Sequence, residues 1–68
     1  MTLGERICFY RTQQQLSQSA LAEQLEFSRQ SVSKWENDAS IPELDKLIQM
    51  SNLFAISLDT LVKGTTDE

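Results

Sequence analysis

The side chains best suited to chemistry in this 68-residue chain lie in one window, from Gln18 to Asn37, which reads QSALAEQLEFSRQSVSKWEN. Leu21, Ala22 and Leu25, and then Val32 and Trp35, recur within it at the three- and four-residue intervals of helices with one buried edge. The window therefore predicts two short helices joined by a tight turn. The outward positions of the second hold Arg29, Gln30, Ser33, Lys34 and Asn37. A helix with one apolar edge and mainly hydrogen-bond donors on the other suits the reading of base edges in a DNA groove.

Other chemistries lack their parts. With no histidine and a single cysteine, Cys8, the chain has no intrachain disulfide, multi-cysteine zinc site or imidazole acid–base pair. It also lacks a nucleophile–base pair and a phosphate-binding glycine loop, so the expectation is no enzyme, no cofactor and no metal. A domain of this size buries only about 60% of the surface of its unfolded chain, which leaves little stability for a deep cleft. No apolar run approaches the ~20 residues of a membrane span, and the mixed charges of MTLGERICFYR do not follow a signal-peptide layout. A cytoplasmic protein is expected, and a lone unpaired cysteine fits that setting.

The net charge of −4 argues against a polyanionic partner. Its distribution weakens the objection. Residues 1–37 balance Arg6, Arg11, Arg29 and Lys34 against Glu5, Glu23, Glu26 and Glu36; residues 38–68 carry the whole excess, with Lys46 and Lys63 facing Asp38, Glu43, Asp45, Asp59, Asp67 and Glu68. DNA affinity should be modest and strongly salt-dependent.

The elements that must position the window are all helical. Leu3, Ile7 and Tyr10 place helix one at about 2–14 with Thr2 as N-cap. Ser17 and Ser28 cap helices two and three, ending near Leu25 and Asn37, with Glu26 and Phe27 forming the turn and Phe27 plugging the core. Pro42 is placed in the first turn of helix four, with Leu44, Leu47, Ile48 and Ser51 on its inner stripe. Ser57 caps helix five, which carries Leu58, Leu61 and Val62 and ends at Gly64. No segment alternates as a strand would. The fold class is all-α, a compact five-helix bundle at 1–64, followed by a polar tail at 65–68 that reads as the start of a linker. The expected core is Leu3, Ile7, Leu16, Leu21, Ala22, Leu25, Phe27, Val32, Trp35, Leu44, Leu47, Ile48, Leu53, Ile56, Leu58 and Leu61.

LSQSALAEQL, SRQSVSKWEN, Pro42 and the closing ISLDTLV stand in the order found in the phage-repressor (Cro/repressor, XRE) family of helix-turn-helix DNA-binding domains, which the chain resembles from about Leu3 to Lys63. The resemblance implies that Gln18 and the first amides of helix two lie against a phosphate. It implies that Arg29, Gln30, Ser33 and Lys34 face the major groove, with Asn37 near the backbone. Arg29 would grip a guanine through O6 and N7 and Gln30 an adenine through N6 and N7, each discriminating by about 1–3 kcal/mol. With Ser28 at the head of helix three, the DNA-contacting set is Gln18, Ser28, Arg29, Gln30, Ser33, Lys34 and Asn37. Arg11 and Glu36 occupy positions that form an ion pair between helices one and three in some relatives. Two departures stand out: Glu26 and Asp38 replace frequent glycines, and a left-handed backbone at Glu26 would cost about 1–3 kcal/mol.

The expected function is a sequence-specific regulator of transcription that binds double-stranded DNA, a repressor rather than an activator. It would act as a homodimer on a pseudo-palindromic operator with half-sites ~34 Å apart. Leu53, Phe54, Ile56 and Val62, on helices four and five, supply more apolar surface than one small core needs and are assigned to the dimer contact. The alternative is a protein-interaction module, antitoxin-like or an adaptor, whose acidic half docks a partner. Cys8 reads as a packed small side chain, and Glu43, Asp45 and Lys46 as a solvated face.

Overall fold

Five helices make up the computed structural model, which describes residues 1–64: α1 (Leu3–Gln13), α2 (Gln18–Leu25), α3 (Arg29–Glu36), α4 (Leu44–Phe54) and α5 (Leu58–Lys63). There is no strand among the described residues. The tail expected at 65–68 lies outside them.

A side-chain hydroxyl starts four of the five helices. Thr2 accepts the Glu5 N–H at 3.1 Å while the Glu5 carboxylate accepts the Thr2 N–H at 2.9 Å, a reciprocal box at the head of α1. Ser17, Ser28 and Ser57 accept the N–H groups of Ala20, Ser31 and Thr60 at 3.0, 3.2 and 3.0 Å. The exception is α4. Its N-cap is Glu43, without a side-chain hydrogen bond, and Pro42 is buried outside the helix rather than in its first turn. The Glu43 carbonyl, not that of the residue before Pro42, accepts the first helical N–H groups, from Lys46 and Leu47.

The helix ends share a second device. Gln15, Glu26, Asp38 and Ala55 all adopt a left-handed backbone at φ 59°, and the N–H following each returns five residues back, as in Phe27 N–H to Ala22 O at 2.9 Å and Ile56 N–H to Ser51 O at 3.0 Å. Only α5 uses glycine here, Gly64 at φ 72°. The left-handed form costs an L-residue about 1–2 kcal/mol. At Ala55 the side chain is exposed and has no polar group to offset that cost. Ala55→Gly, after about 0.5–1 kcal/mol of extra unfolded-state entropy, should raise the melting temperature by about 4 °C. A thermal melt followed by circular dichroism checks it; a lower melting temperature would show that Ala55 is not strained.

Ile7, Leu21, Ala22, Leu25, Val32, Trp35, Leu47, Met50, Phe54 and Leu61 form the core, with Leu3, Tyr10, Leu16, Leu53, Ile56 and Leu58 packed partly buried against it. The inner stripe of α4 is Leu47, Met50, Ser51 and Phe54. Leu44 and Ile48, expected inside, are 63% and 42% exposed. So many apolar residues surround α4 that periodicity alone admits more than one inner face, and the helix is rotated from the expected one. Phe54, assigned to a dimer contact, is buried and its ring stacks on Tyr10 at 6.0 Å. Phe27 does not plug the core. Following the left-handed Glu26, it lies on the rim of the turn at 39% exposure, 5.3 Å from the Trp35 ring, with Lys46 Nζ 4.8 Å above its own.

The ends of the domain are tied by hydrogen bonds. Asp38 accepts the Thr2 hydroxyl at 2.6 Å and the Gly4 N–H at 2.9 Å, joining the head of α1 to the residue after α3. These two donors, the Thr2 hydroxyl first, hold the Asp38 carboxyl below the usual aspartate range. Arg6 donates to the carbonyls of Leu61, Val62 and Met1, each at 2.6 Å, and so binds the end of α5 to the start of the chain.

Candidate nucleic-acid interface

The sequence of α3 divides it cleanly between burial and exposure. Val32 is fully buried and Trp35 is 4% exposed, while Arg29, Gln30, Lys34 and Asn37 are exposed and Ser33 is half-buried. The helix packs on α2 and α1, which hold it from behind and leave its Arg29–Gln30–Ser33–Lys34 edge outward. Ser28 is exposed but its oxygen is engaged locally, accepting the Ser31 N–H and lying 3.1 Å from the Ser31 hydroxyl. Asn37 is the C-cap of α3.

Behind this edge runs a continuous polar chain. Arg11 Nε donates to Glu36 Oε2 at 2.6 Å and its Nη2 to Oε1 at 3.1 Å, a two-pronged ion pair. Its Nη1 donates to the Leu16 carbonyl at 2.7 Å, which ties in the α1–α2 loop. The side chains are only 13% and 6% exposed, and the Glu36 hydrogen bond pushes the Arg11 guanidinium above its ordinary range. Glu36 Oε1 also accepts Gln18 Nε2 at 3.0 Å, and Gln18 Oε1 accepts Arg29 Nη1 at 3.3 Å. Gln18 thus lies between the buried pair and the first residue of α3, half-buried at the start of α2.

The cations divide in a way their sequence positions do not reveal. Arg6 is spent on three carbonyls, Arg11 on Glu36, and Lys46 on the Leu25 carbonyl at 2.7 Å and the Phe27 ring. All three are half-buried. Arg29, Lys34 and Lys63 are exposed, and two of them stand on α3. Positive charge available to an anion is therefore concentrated on the helix that carries the donors.

Reasoning from sequence placed Arg29, Gln30, Ser33 and Lys34 together, and they share one edge. It missed the Gln18–Glu36 and Gln18–Arg29 contacts, because an amide 18 residues from a carboxylate carries no register in the sequence. It also missed Gly4. A Cβ there would stand 2.5 Å from the Trp35 carbonyl oxygen and 2.6 Å from that of Glu36, so only glycine lets α1 lie this close to the end of α3. The one available signal was a glycine inside the first turn of a predicted helix.

Residues 9–61 match the family model described as helix-turn-helix. The chain is 38% identical over 64 residues to the HTH-type transcriptional activator BcrR of Enterococcus faecalis, covering 94% of this chain and 31% of that protein. It is 39% identical over 62 residues to the SPbeta prophage-derived HTH-type transcriptional regulator YonR of Bacillus subtilis, covering 91% and 57%. It thus spans about a third and just over half of these two relatives. Among solved structures, the P22 c2 repressor protein in complex with synthetic operator 9T is similar at a TM-score of 0.89 and 31% identity, covering 96% of this chain and 98% of that one. The five-helix order, the α2–turn–α3 unit and these likenesses agree: the chain belongs to the helix-turn-helix family, of the phage-repressor (XRE) type.

Proposed function

We propose that this domain is the DNA-reading part of a transcriptional regulator, with the exposed edge of α3 in the major groove and the start of α2 on the phosphate backbone. The observation that carries the reading is the coincidence on α3 of a buried edge, Val32 and Trp35, with an exposed edge that holds Arg29, Gln30 and Lys34. The fold shared with the P22 c2 repressor, a protein solved with synthetic operator 9T, supports it. Arg29 reads guanine and Gln30 adenine; Lys34, Ser33 and Asn37 follow the groove and its backbone; Ser28 serves mainly to hold the helix start. Ser17 takes the Ala20 N–H, which leaves the N–H groups of Gln18 and Ser19 at the head of α2 for a phosphate. The names of the relatives include an activator and a repressor, so regulation is the level on which they agree.

One copy contacts few bases, so two copies bind a pseudo-palindromic operator. The surface for the second copy is the apolar patch of Ile41, just before α4, with Leu44 and Ile48 on it, at 77%, 63% and 42% exposure. Of the residues expected from the sequence, Leu53 and Ile56 are half-buried and Phe54 is buried, while Val62 is exposed at 37%. The chain works in the cytoplasm, where its operator is; no described helix is long and apolar enough to cross a membrane.

Selection of bound sequences from a random DNA pool tests the reading. The wild type should recover two half-sites about one helical turn apart. Arg29→Ala should lose preference at one position of each half-site, a loss of about 1–3 kcal/mol in discrimination. Recovery of the same motif by that variant would remove Arg29 from base reading. The absence of any sequence-dependent binding at low salt would favour the adaptor reading, in which the acidic C-terminal half docks another protein.

A further inference from the structure

We propose that Glu36 is a positioning residue for DNA reading, acting through the Gln18 amide on Arg29. The inference rests on the assignment of Arg29 as a base reader. An ionised carboxylate can only accept hydrogen bonds, so the amide end that faces Glu36 must be the donating Nε2, as observed at 3.0 Å. That choice turns Gln18 Oε1 outward, toward the first residue of α3, where it accepts Arg29 Nη1 at 3.3 Å. Glu36 itself cannot turn, because Arg11 holds both of its oxygens. The polarity of the outward Gln18 oxygen is thus fixed by the buried Arg11–Glu36 pair behind it, and it matches a donor at position 29.

The guanidinium has five N–H groups, and giving one to Gln18 leaves four for a base and the backbone. A long, exposed arginine otherwise samples many rotamers, and ordering it on binding costs free energy. Held by Gln18 before DNA arrives, Arg29 forgoes part of that cost only where its two-pronged contact is satisfied. The relay therefore acts on discrimination at the Arg29 base pair, while a Gln18 contact to phosphate would act on all sequences alike.

Gln18→Met keeps the length of the side chain and removes both hydrogen bonds. The readout is the affinity ratio between operators that differ only at the base pair whose preference is lost in Arg29→Ala. Gln18→Met should lower this ratio about fivefold, the size of one hydrogen bond, and should change it less than about twofold in the Arg29→Ala background. Glu36→Gln, measured where circular dichroism shows it folded, should lower the ratio in the same way, because its amide lets Gln18 face either direction. A uniform loss of affinity in Gln18→Met with the ratio intact would overturn the relay and leave Gln18 as a phosphate contact. If Arg29→Ala relaxes no position at all, the base-reading assignment falls and the relay with it.

Discussion

Arg11→Ala should leave most of the protein unfolded at physiological temperature. The substitution takes away the partner that engages both oxygens of Glu36, a carboxylate whose side chain is 6% exposed, and leaves it only the Gln18 amide. Breaking a buried pair from one side costs about 3–5 kcal/mol, because the remaining charge has lost both water and partner. The single hydrophobic core of a domain this small supplies no more than about 3–5 kcal/mol of net stability. The cost and the reserve are of the same size, so the folded population collapses. Loss of the bond to the Leu16 carbonyl frees the α1–α2 loop as well. Thermal and urea melts followed by far-UV circular dichroism give the answer directly. A companion variant separates buried charge from lost packing: Arg11→Met with Glu36→Leu removes the pair together and should recover much of the stability, since apolar replacement of a whole buried pair is often neutral. A single Arg11→Ala variant that melts within a few degrees of the wild type would show that Glu36 is adequately solvated.

Where the sequence could be read, the governing interaction was local. Thr2, Ser17, Ser28 and Ser57 cap donors three residues away, and the edges of α2 and α3 follow from one period each. The reading failed where one segment offered two solutions. With Leu44, Leu47, Ile48, Met50, Leu53 and Phe54 spread around α4, the spacing left its inner face open; the helix buries Met50 and Phe54 and exposes Leu44 and Ile48. It failed again where partners are far apart in the chain. Asp38 bonds Gly4 across 34 residues and Arg6 bonds Leu61 across 55, and no pattern at either end announces the other. The candidate site divides in the same way. The donor edge of α3 was legible because a helix face is local, and the Arg11–Glu36 pair was suggested only by family resemblance. The Gln18 link between that pair and Arg29 needed the fold.

Gly4→Ala tests the other long-range joint, and its expected sign runs against helix propensity. Alanine is favoured over glycine inside a helix by about 1 kcal/mol, and Gly4 is the second residue of α1. The added Cβ, however, would stand 2.5 and 2.6 Å from the carbonyl oxygens of Trp35 and Glu36, and 2.8 Å from Asp38 Oδ1. Two of these neighbours are backbone and cannot swing aside, so α1 has to back away from the end of α3. Overpacking of this kind costs about 1–3 kcal/mol, and the retreat also stretches the Gly4 N–H bond to Asp38. A net loss of about 2 kcal/mol should lower the melting temperature by roughly 8–16 °C. The pH dependence identifies the contact. Because Asp38 is held below its ordinary value, its contribution is present above the unfolded pKa, near 4, and is lost as pH falls through the lowered folded value. Gly4→Ala forfeits the share of that contribution that the Gly4 N–H supplies and keeps the larger one from the Thr2 hydroxyl, so the gap from the wild type should narrow in part as the solution is taken below about pH 4. Trp35 and Glu36 belong to the last turn of α3, so DNA affinity should also fall at temperatures where the variant is folded. An unchanged melting temperature would mean that α1 shifts without cost; a gap that stays constant through the acid range would mean that the Asp38 bonds survive.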